Sequence, residues 1–191
     1  MNFVLIDEQQ AHELRMQVQS RRGVWEEVAF GLKQWGEQSL EKGPWSVTFS
    51  ERHAISGDPN DYFSQGPYWW PNPEDPDGPF IRRDGEIYPG RFNDHHSWFS
   101  QMADTVLALA TSGYYLGEKR FLDRAAYLLQ VWFIDPQTRM NPHMRYGQLI
   151  PGICDGRPIG LIELGSVDRI VHALGFLSED PDYAATLSGM R

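Results

Sequence analysis

The stretch WFSQMADTVLALATSGYYLGEKRFLDRAAYLLQVWF (residues 98–133) indicates the fold class most directly. Apolar residues recur in it every three or four positions, which is the spacing of one face of an α-helix. We predict one helix from Trp98 to near Gly117 and a second from Leu122 to Phe133. Because the connection over residues 114–120 is short, these two helices are predicted to lie antiparallel.

The same spacing predicts three further helices, over residues 7–19, about 24–40 and about 162–177. Helical hairpins separated by conspicuous loops are typical of α/α repeat arrays, and the lack of a fixed-period repeat favours a toroid over a solenoid. We therefore predict an all-α fold, an (α/α) toroid of antiparallel helical hairpins that forms one domain over residues 1–191.

A long segment without helical spacing, residues 45–93, interrupts this array. It contains more than half of the chain's 13 prolines and several turn sequences, such as Ser56-Gly57-Asp58-Pro59. Long irregular segments inside compact domains are usually either functional or disordered. Its many aromatic residues can anchor it to a core, so we predict an ordered, Pro-rich and aromatic-rich loop that carries function.

The composition limits the class of ligand. Aromatic residues make up 13% of the chain, and they either fill a core or line a surface that stacks on sugar rings. The net charge of −9 argues against nucleic-acid binding, which requires clustered Lys and Arg. A polyanionic sugar remains compatible with this charge, because basic groups can be concentrated locally in a cleft.

The single cysteine and the first residues exclude further classes. Cys154 has no partner for a disulfide within the chain, and one thiolate cannot build a cysteine metal site. The start MNFVLIDEQQ has no basic flank and only a short apolar run. We therefore predict neither a signal peptide nor a membrane-spanning segment in this sequence.

Two loops carry the most specific motifs. The first reads SGDPNDYFSQGPYWWPNP (residues 56–73) and is followed by RRDGE (residues 82–86). The second reads MNPHMRYGQLIPG (residues 140–152) and is followed by GRPIG (residues 156–160). In this order the motifs resemble those of the alginate lyase family, including its glucuronan-cleaving members, over most of the chain from about residue 24 to 177.

The resemblance implies a helical toroid whose cleft holds an anionic polysaccharide, such as alginate or a glucuronan. In such lyases a Tyr or His removes the C5 proton of a uronate, and Asn, His or Arg neutralises its carboxylate. The neutralising group is needed because the developing enolate charge must be stabilised. The resemblance implies no metal and no organic cofactor, and it implies a periplasmic or extracellular location.

The residues of the two loops supply a set of predicted substrate-binding side chains, and two candidates for proton transfer if this chain is active by itself. The candidates for proton transfer are Tyr146 and His143. The substrate-binding residues are predicted to be Tyr68, Trp69, Trp70, Arg82, Arg83, Tyr146, Gln148 and Arg157.

Several of these residues have a structural interpretation as well. One of the two tryptophan rings can anchor the loop while the other faces a sugar. Arg157 can pair with a carboxylate through its planar guanidinium, or it can bind loop carbonyls. Adjacent side chains usually point apart, so at most one of Arg82 and Arg83 is expected to enter a cleft. The run Asp94-His95-His96 is not predicted to bind a metal, because no further ligand stands at suitable spacing.

The chain departs from the family pattern in one respect. The Asn-Asn-His sequence of the relatives, and the Arg and Tyr that follow it, lie downstream of the matched region, and this chain contains no Asn-Asn-His. The base and the neutralising group of the family are therefore expected beyond Arg191, the last residue of this sequence.

This departure leads to two further expectations. We expect an incomplete toroid that lacks the catalytic residues and shows no lyase activity by itself. Its open edge is expected to favour self-association through exposed apolar side chains, namely Ile162, Ile170, Leu174 and Leu177.

Two alternatives to a lyase remain open at this point. The first is a non-catalytic protein that binds acidic polysaccharides through the aromatic loop. The second is an α/α-toroid glycoside hydrolase, which needs two opposed carboxylates. Asp58, Asp61 and Asp84 are its candidates.

Overall fold

The computed structural model describes residues 6–190. Residues 1–5 and Arg191 lie outside the described part of the chain. No signal peptide was predicted in the first of these segments, and the family's base and neutralising group were expected beyond Arg191. Both expectations therefore stay predictions.

Six α-helices are present among the described residues. In chain order they are α1 (Glu8–Ser20), α2 (Val24–Leu40), α3 (Asp94–Leu116), α4 (Lys119–Phe133), α5 (Val167–Leu177) and α6 (Ala184–Gly189). Three 3₁₀ helices accompany them, at Val47–Phe49, Pro158–Leu164 and Pro181–Tyr183.

Four short strands lie in the segments that were predicted to be irregular. They are β1 (Phe63–Gln65), β2 (Trp69–Trp70), β3 (Ile81–Arg82) and β4 (Tyr146–Leu149). β1 pairs with β4 in parallel, and β2 pairs with β3 in the antiparallel direction. The predicted all-α fold, an incomplete toroid of helical hairpins, is therefore wrong. Strands of two to four residues are too short to show an alternating pattern in the sequence.

The helices themselves lie close to the predicted positions. α2 matches the predicted range 24–40, and the hairpin of α3 and α4 surrounds Gly117, whose φ is +72°. A positive φ at the end of a helix favours glycine, which explains why the chain reverses there. The predicted helix 162–177 is divided, because the Pro158–Leu164 3₁₀ helix ends before α5 begins.

The described residues form two compact units. Unit 1 comprises the described parts of residues 1–45, 101–135 and 166–191, and it contains α1, α2, α4, α5, α6 and most of α3. Its core is built mainly from apolar residues of α3, α4 and α5. No helix among the described residues combines the length and the apolar character needed to cross a bilayer.

The expected exposure of apolar side chains on the last predicted helix is largely wrong. Ile170, Leu174 and Leu177 are 2%, 8% and 0% exposed, because α5 packs against α4 within unit 1. Ile162 is 69% exposed, but it belongs to the 3₁₀ helix of the other unit. Three of the four side chains are therefore core residues and do not form an open edge.

Unit 2 comprises residues 46–100 and 136–165, and it contains both loop motifs. Its apolar centre includes Ala54, Phe63, Phe92 and Tyr146. The rings of Phe63 and Phe92 are stacked, with their centroids 4.0 Å apart. The aromatic residues of the long loop thus supply a small core that holds the irregular backbone in place.

Two glycines of the second motif allow the backbone to approach itself closely. A β-carbon on Gly160 would lie 2.8 Å from the carbonyl carbon of Gly147, and one on Gly156 would lie 1.9 Å from the carbonyl oxygen of Arg145. Both distances are shorter than any non-bonded carbon contact. The glycines of GRPIG are therefore required for packing of the 3₁₀ helix against β4.

We predict that Gly160→Ala lowers the free energy of unfolding by about 1–3 kcal/mol, because the added methyl group meets main-chain atoms that cannot move aside. Gly31→Ala in α2 is the matched control, since nothing lies within 4 Å of the added carbon. Alanine there should be neutral or stabilising by up to about 1 kcal/mol, because it favours helix more than glycine does. Urea titrations of both variants measure the effect, and equal stabilities would contradict the packing argument.

Candidate functional site

The pairing of β1 with β4 brings the two motif loops together in unit 2. Phe63 is opposite Tyr146, and Gln65 is opposite Leu149 after a change in register. Beyond the strands, the amide of Gly66 donates to the carbonyl oxygen of Leu149 at 3.0 Å. Residues that follow β1 and residues of β4 therefore share one surface, although about 80 positions separate them in the sequence.

A buried aspartate connects the beginnings of the two motifs. The Asn141 amide donates to Asp61 Oδ1 at 2.7 Å and to Asp58 Oδ2 at 3.1 Å, and the Ser56 hydroxyl donates to Asp61 Oδ2 at 2.6 Å. Burial alone would raise the pKa of Asp61, but the hydrogen bonds from Asn141 and Ser56 outweigh it and lower the pKa. Asp61 therefore holds the two loops together as a carboxylate.

This arrangement argues against the glycoside hydrolase alternative. Asp58 and Asp61 accept hydrogen bonds from the same Asn141 nitrogen, so they lie side by side. Asp84 forms an exposed ion pair with Arg82 at 3.0 Å. Neither arrangement resembles the two carboxylates opposed across a sugar that hydrolysis requires.

Gln148 has a strained backbone at the centre of β4. Its φ is +51°, a region that side-chain-bearing residues adopt at a cost of roughly 1–2 kcal/mol. Its amide donates to Ser64 Oγ at 2.7 Å. Its carbonyl oxygen and its side-chain Oε1 accept from Arg157 Nε and Nη2, at 3.1 and 2.6 Å. These contacts keep Gln148 in the left-handed conformation.

Arg157 is held in one orientation by Gln148 and by the adjacent backbone. Two of its guanidinium nitrogens bind Gln148, and its own amide donates to Gly147 at 2.9 Å. Arg157 Nε thus binds a loop carbonyl, that of Gln148, which is one of the two interpretations given to Arg157 from the sequence. Within residues 6–190 the structure gives Nη1 no hydrogen-bond partner. A half-buried guanidinium oriented in this way can still receive a carboxylate.

Trp69 lies beside this guanidinium. A β-carbon on Gly66 would be 2.9 Å from Trp69 Cδ1 and 3.0 Å from Arg157 Nη2, which places the two groups within 6 Å of each other. Glycine at position 66 therefore leaves the space that both side chains need. The structure brings these two predicted site residues together.

Trp70 is held differently from Trp69. Its indole nitrogen donates to the Glu86 carbonyl at 2.9 Å, Arg83 lies over its ring at 4.8 Å, and Tyr88 packs 5.1 Å away. These contacts make Trp70 the ring that anchors the β2–β3 hairpin. Both indoles are half-buried.

The remaining basic and aromatic candidates of the first loop make local contacts. Arg82 pairs with Asp84, while Arg83 covers Trp70 and lies 3.9 Å from Glu86. Tyr68 is 38% exposed at the end of the same hairpin. Nothing in these contacts directs Arg82 or Arg83 toward Arg157.

The two candidates for proton transfer occupy different environments. Tyr146 is only 7% exposed and belongs to the apolar centre with Phe63. His143 Nε2 lies 3.1 Å from Asp61 Oδ1, and its ring packs edge-on against Tyr146 at 6.1 Å. Tyr146 is thus surrounded by the core, whereas the His143 side chain is 43% exposed.

A cleft of about 250 Å³ opens beside Gln148. Its other lining residues are Pro67, Arg91, Asn93, His96, Ile162 and Glu163. Sequence reasoning did not place Arg91, His96 or Glu163 at a binding site, because they lie outside the two loop motifs, and His96 was considered only as a metal ligand. The available signal was position: Arg91 precedes α3, His96 lies in its first turn, and Glu163 follows GRPIG.

Glu163 is a buried carboxylate at this cleft. It is 5% exposed, and its Oε2 accepts from the Tyr62 hydroxyl at 2.8 Å and from Ser64 Oγ at 2.5 Å. Burial and the nearby Glu163 charge raise the pKa of Tyr62, so its hydroxyl remains a donor. One carboxylate oxygen of Glu163 therefore accepts two hydrogen bonds, which hold the side chain in place.

The histidines of the Asp94-His95-His96 run have separate environments. His95 is 1% exposed, its Nδ1 accepts from the Phe63 amide at 3.1 Å, and aromatic rings surround it. His96 lines the cleft. Among residues 6–190, the group whose side chains come close enough for a metal is exposed and lies in unit 1: Glu8, His12 and Glu179.

Comparisons with known proteins cover most of the chain. The family model described as alginate lyase matches residues 47–188. The chain is 34% identical to an alginate lyase from Bacteroides ovatus of known crystal structure, with a TM-score of 0.74. That match covers 87% of this chain and 45% of the other, so the chain spans less than half the length of this neighbour. The comparison with curated proteins found no matching relative.

We predict that unit 2 loses stability in mild acid through His95. Burial, with a smaller effect of His53, lowers the pKa of His95 from 6.5 to about 4. The unfolded chain therefore binds a proton between pH 6.5 and 4 that the folded chain does not bind. The stabilisation is complete above pH 6.5 and decreases as the pH falls, by on the order of 2 kcal/mol at pH 5.

Urea titrations at pH 7 and pH 5 measure this loss. His95→Asn retains an acceptor for the Phe63 amide and cannot titrate, so its stability should change less between the two pH values. His172→Asn in α5 is the matched control and should behave like the unsubstituted chain. An unchanged pH dependence in His95→Asn would contradict the role given to His95.

Proposed function

We propose that the chain, which belongs to the alginate lyase family over residues 47–188, takes part in the β-elimination of an acidic, uronate-containing polysaccharide. The resemblance predicted from the two loop motifs is thereby confirmed at the level of the family. Alginate and glucuronan are the substrate candidates, since both present one carboxylate on each sugar unit. The role of this chain in the reaction is to bind and orient that polymer.

The observation that carries this proposal is the meeting of Arg157 and Trp69 at Gly66. A guanidinium pairs with a carboxylate through two parallel hydrogen bonds, and an indole face packs on the apolar face of a sugar ring. One uronate unit presents both features within a few ångströms. The separation of less than 6 Å between the two side chains therefore fits a single uronate.

The cleft beside Gln148 extends the proposed binding surface. Gln148 contacts Arg157 and also lines the cleft that contains Arg91 and His96. A second basic side chain near the first suits a polymer that carries a carboxylate on every unit. The net charge of −9 does not oppose this, because these groups act at short range.

The position of Tyr146 favours binding over catalysis as the role of the predicted site residues. Its ring lies in the apolar centre of unit 2 and is 7% exposed. A tyrosine that removes a proton must reach the substrate within hydrogen-bond distance. A protein that binds acidic polysaccharides without cleaving them is therefore the second candidate function.

Location and self-association complete the proposal. Family membership supports a periplasmic or extracellular location, where such polysaccharides occur. Self-association has support from exposed apolar side chains on the Pro158–Leu164 3₁₀ helix. Ile159, Leu161 and Ile162 are 57%, 62% and 69% exposed, and exposed apolar side chains favour contact with a partner.

We predict that Arg157→Ala weakens binding of an alginate hexasaccharide about 10- to 100-fold, because a hydrogen-bonded charge pair contributes about 1.5–3 kcal/mol. Isothermal titration calorimetry measures the affinity, with a neutral hexasaccharide for comparison. Arg22→Ala removes the same charge at an exposed position and should leave the affinity unchanged.

The same samples, incubated with alginate and with glucuronan, show whether this chain cleaves by itself. An unsaturated, ultraviolet-absorbing product would identify elimination and contradict the expected lack of activity, whereas binding without product agrees with a chain that binds the polymer and does not cleave it. Equal affinity for acidic and neutral hexasaccharides, or no loss of binding in Arg157→Ala, would refute a uronate site at Arg157.

A further inference from the structure

A continuous series of hydrogen bonds runs from Glu163 to Arg157. Ser64 Oγ donates to Glu163 Oε2 at 2.5 Å, and Ser64 Oγ also accepts from the Gln148 amide at 2.7 Å. Gln148 then accepts from Arg157 through its carbonyl oxygen and its side chain. Glu163, Ser64 and Gln148 are 5%, 0% and 7% exposed, so water competes little for these bonds.

The direction of these bonds follows from the charge of Glu163. A carboxylate can only accept, so the Ser64 hydroxyl proton must point toward it. This orientation leaves a lone pair of Ser64 Oγ for the Gln148 amide. Without the carboxylate, the hydroxyl is free to rotate and to donate elsewhere. The contact that holds the Gln148 backbone at a φ of +51° therefore depends on Glu163.

Tyr62 keeps the carboxylate in place but lies off the path to Arg157. Its hydroxyl donates to the same Oε2 atom at 2.8 Å, and the residue is 0% exposed. Its hydroxyl also lies beside the Ser64 hydroxyl, but within residues 6–190 no hydrogen bond joins it to Gln148 or Arg157. Tyr62 and Ser64 thus both donate to one carboxylate oxygen of Glu163, but only Ser64 also contacts Gln148. Loss of the Tyr62 hydroxyl should therefore affect stability, whereas loss of the Ser64 hydroxyl should also affect the position of Gln148.

We propose that Glu163 is a positioning residue that orients the Arg157 guanidinium, through Ser64 and Gln148, toward the carboxylate of a bound uronate. This inference rests on the proposed function of Arg157. Glu163 acts in this role without contacting the sugar. Its contribution is selectivity: a fixed guanidinium recognises a planar carboxylate, whereas a mobile one is attracted to any negative charge.

A double-mutant cycle in the full chain tests the inference. The variants are Glu163→Gln, Arg157→Lys and their combination, and the measured quantity is the affinity for an alginate hexasaccharide. We expect Glu163→Gln to weaken binding about 5- to 10-fold and Arg157→Lys about tenfold. The combination should be no weaker than Arg157→Lys alone, because both changes remove the same oriented contact.

Three further variants make the result specific. Tyr62→Phe should lower the melting temperature and leave the affinity within about twofold, since Tyr62 is not on the path. Ser64→Ala should reproduce the loss seen in Glu163→Gln, and it replaces that variant in the cycle if Glu163→Gln does not fold. Glu13→Gln changes the net charge equally at an exposed position of α1 and should have no effect.

The outcomes distinguish the two levels of the argument. If Arg157→Lys binds as well as the unsubstituted chain, both the inference and the uronate site fail. If Arg157→Lys is weakened but the loss in Glu163→Gln adds to it fully, the positioning role alone is refuted. A loss of affinity in Tyr62→Phe equal to that in Glu163→Gln would likewise refute the positioning role. The loss would then be explained by lower stability of the fold and not by the orientation of Arg157.

Discussion

The pairing of β1 with β4 is the constraint on which the candidate site depends. It joins two loops that are distant in sequence, and it requires Gln148 to adopt a left-handed backbone so that Leu149 can pair with Gln65. Because β4 is also packed on the 3₁₀ helix through Gly160, both Glu163 and Arg157 approach Gln148 from the same segment. The proposed binding surface and the residues that support it are thus parts of one packing arrangement.

The proposed function combines an acidic protein with an acidic ligand. Arg91 and Arg157 stand near Gln148, while Glu163 is buried and bound by two hydroxyl groups. A buried, hydrogen-bonded carboxylate can orient its neighbours without presenting an exposed charge to the proposed polymer. For the proposed binding of a uronate, the attraction of a nearby arginine over a few ångströms therefore matters more than the net charge of −9 on the chain.

Sequence patterns predicted the helices better than the parts that position the site. The range of α2 followed from apolar spacing, because one face of a helix repeats over many residues. β1 to β4 are too short for such a repeat, and their pairing depends on contacts between distant segments. The motifs contain Trp69, Gln148 and Arg157, whose role in binding stays a prediction. Glu163 emerged only from three-dimensional contacts, since a lone glutamate in an apolar run carries no distinctive pattern.

The most direct test of this account is a crystal structure of the chain with a bound alginate oligosaccharide. We predict one uronate carboxylate within hydrogen-bond distance of the Arg157 guanidinium, about 2.7–3.2 Å, and the ring of that sugar packed on Trp69. We also predict that Gln148 retains its positive φ in the complex. An oligosaccharide bound at another surface, without contact to Arg157, Gln148 or Trp69, would contradict it.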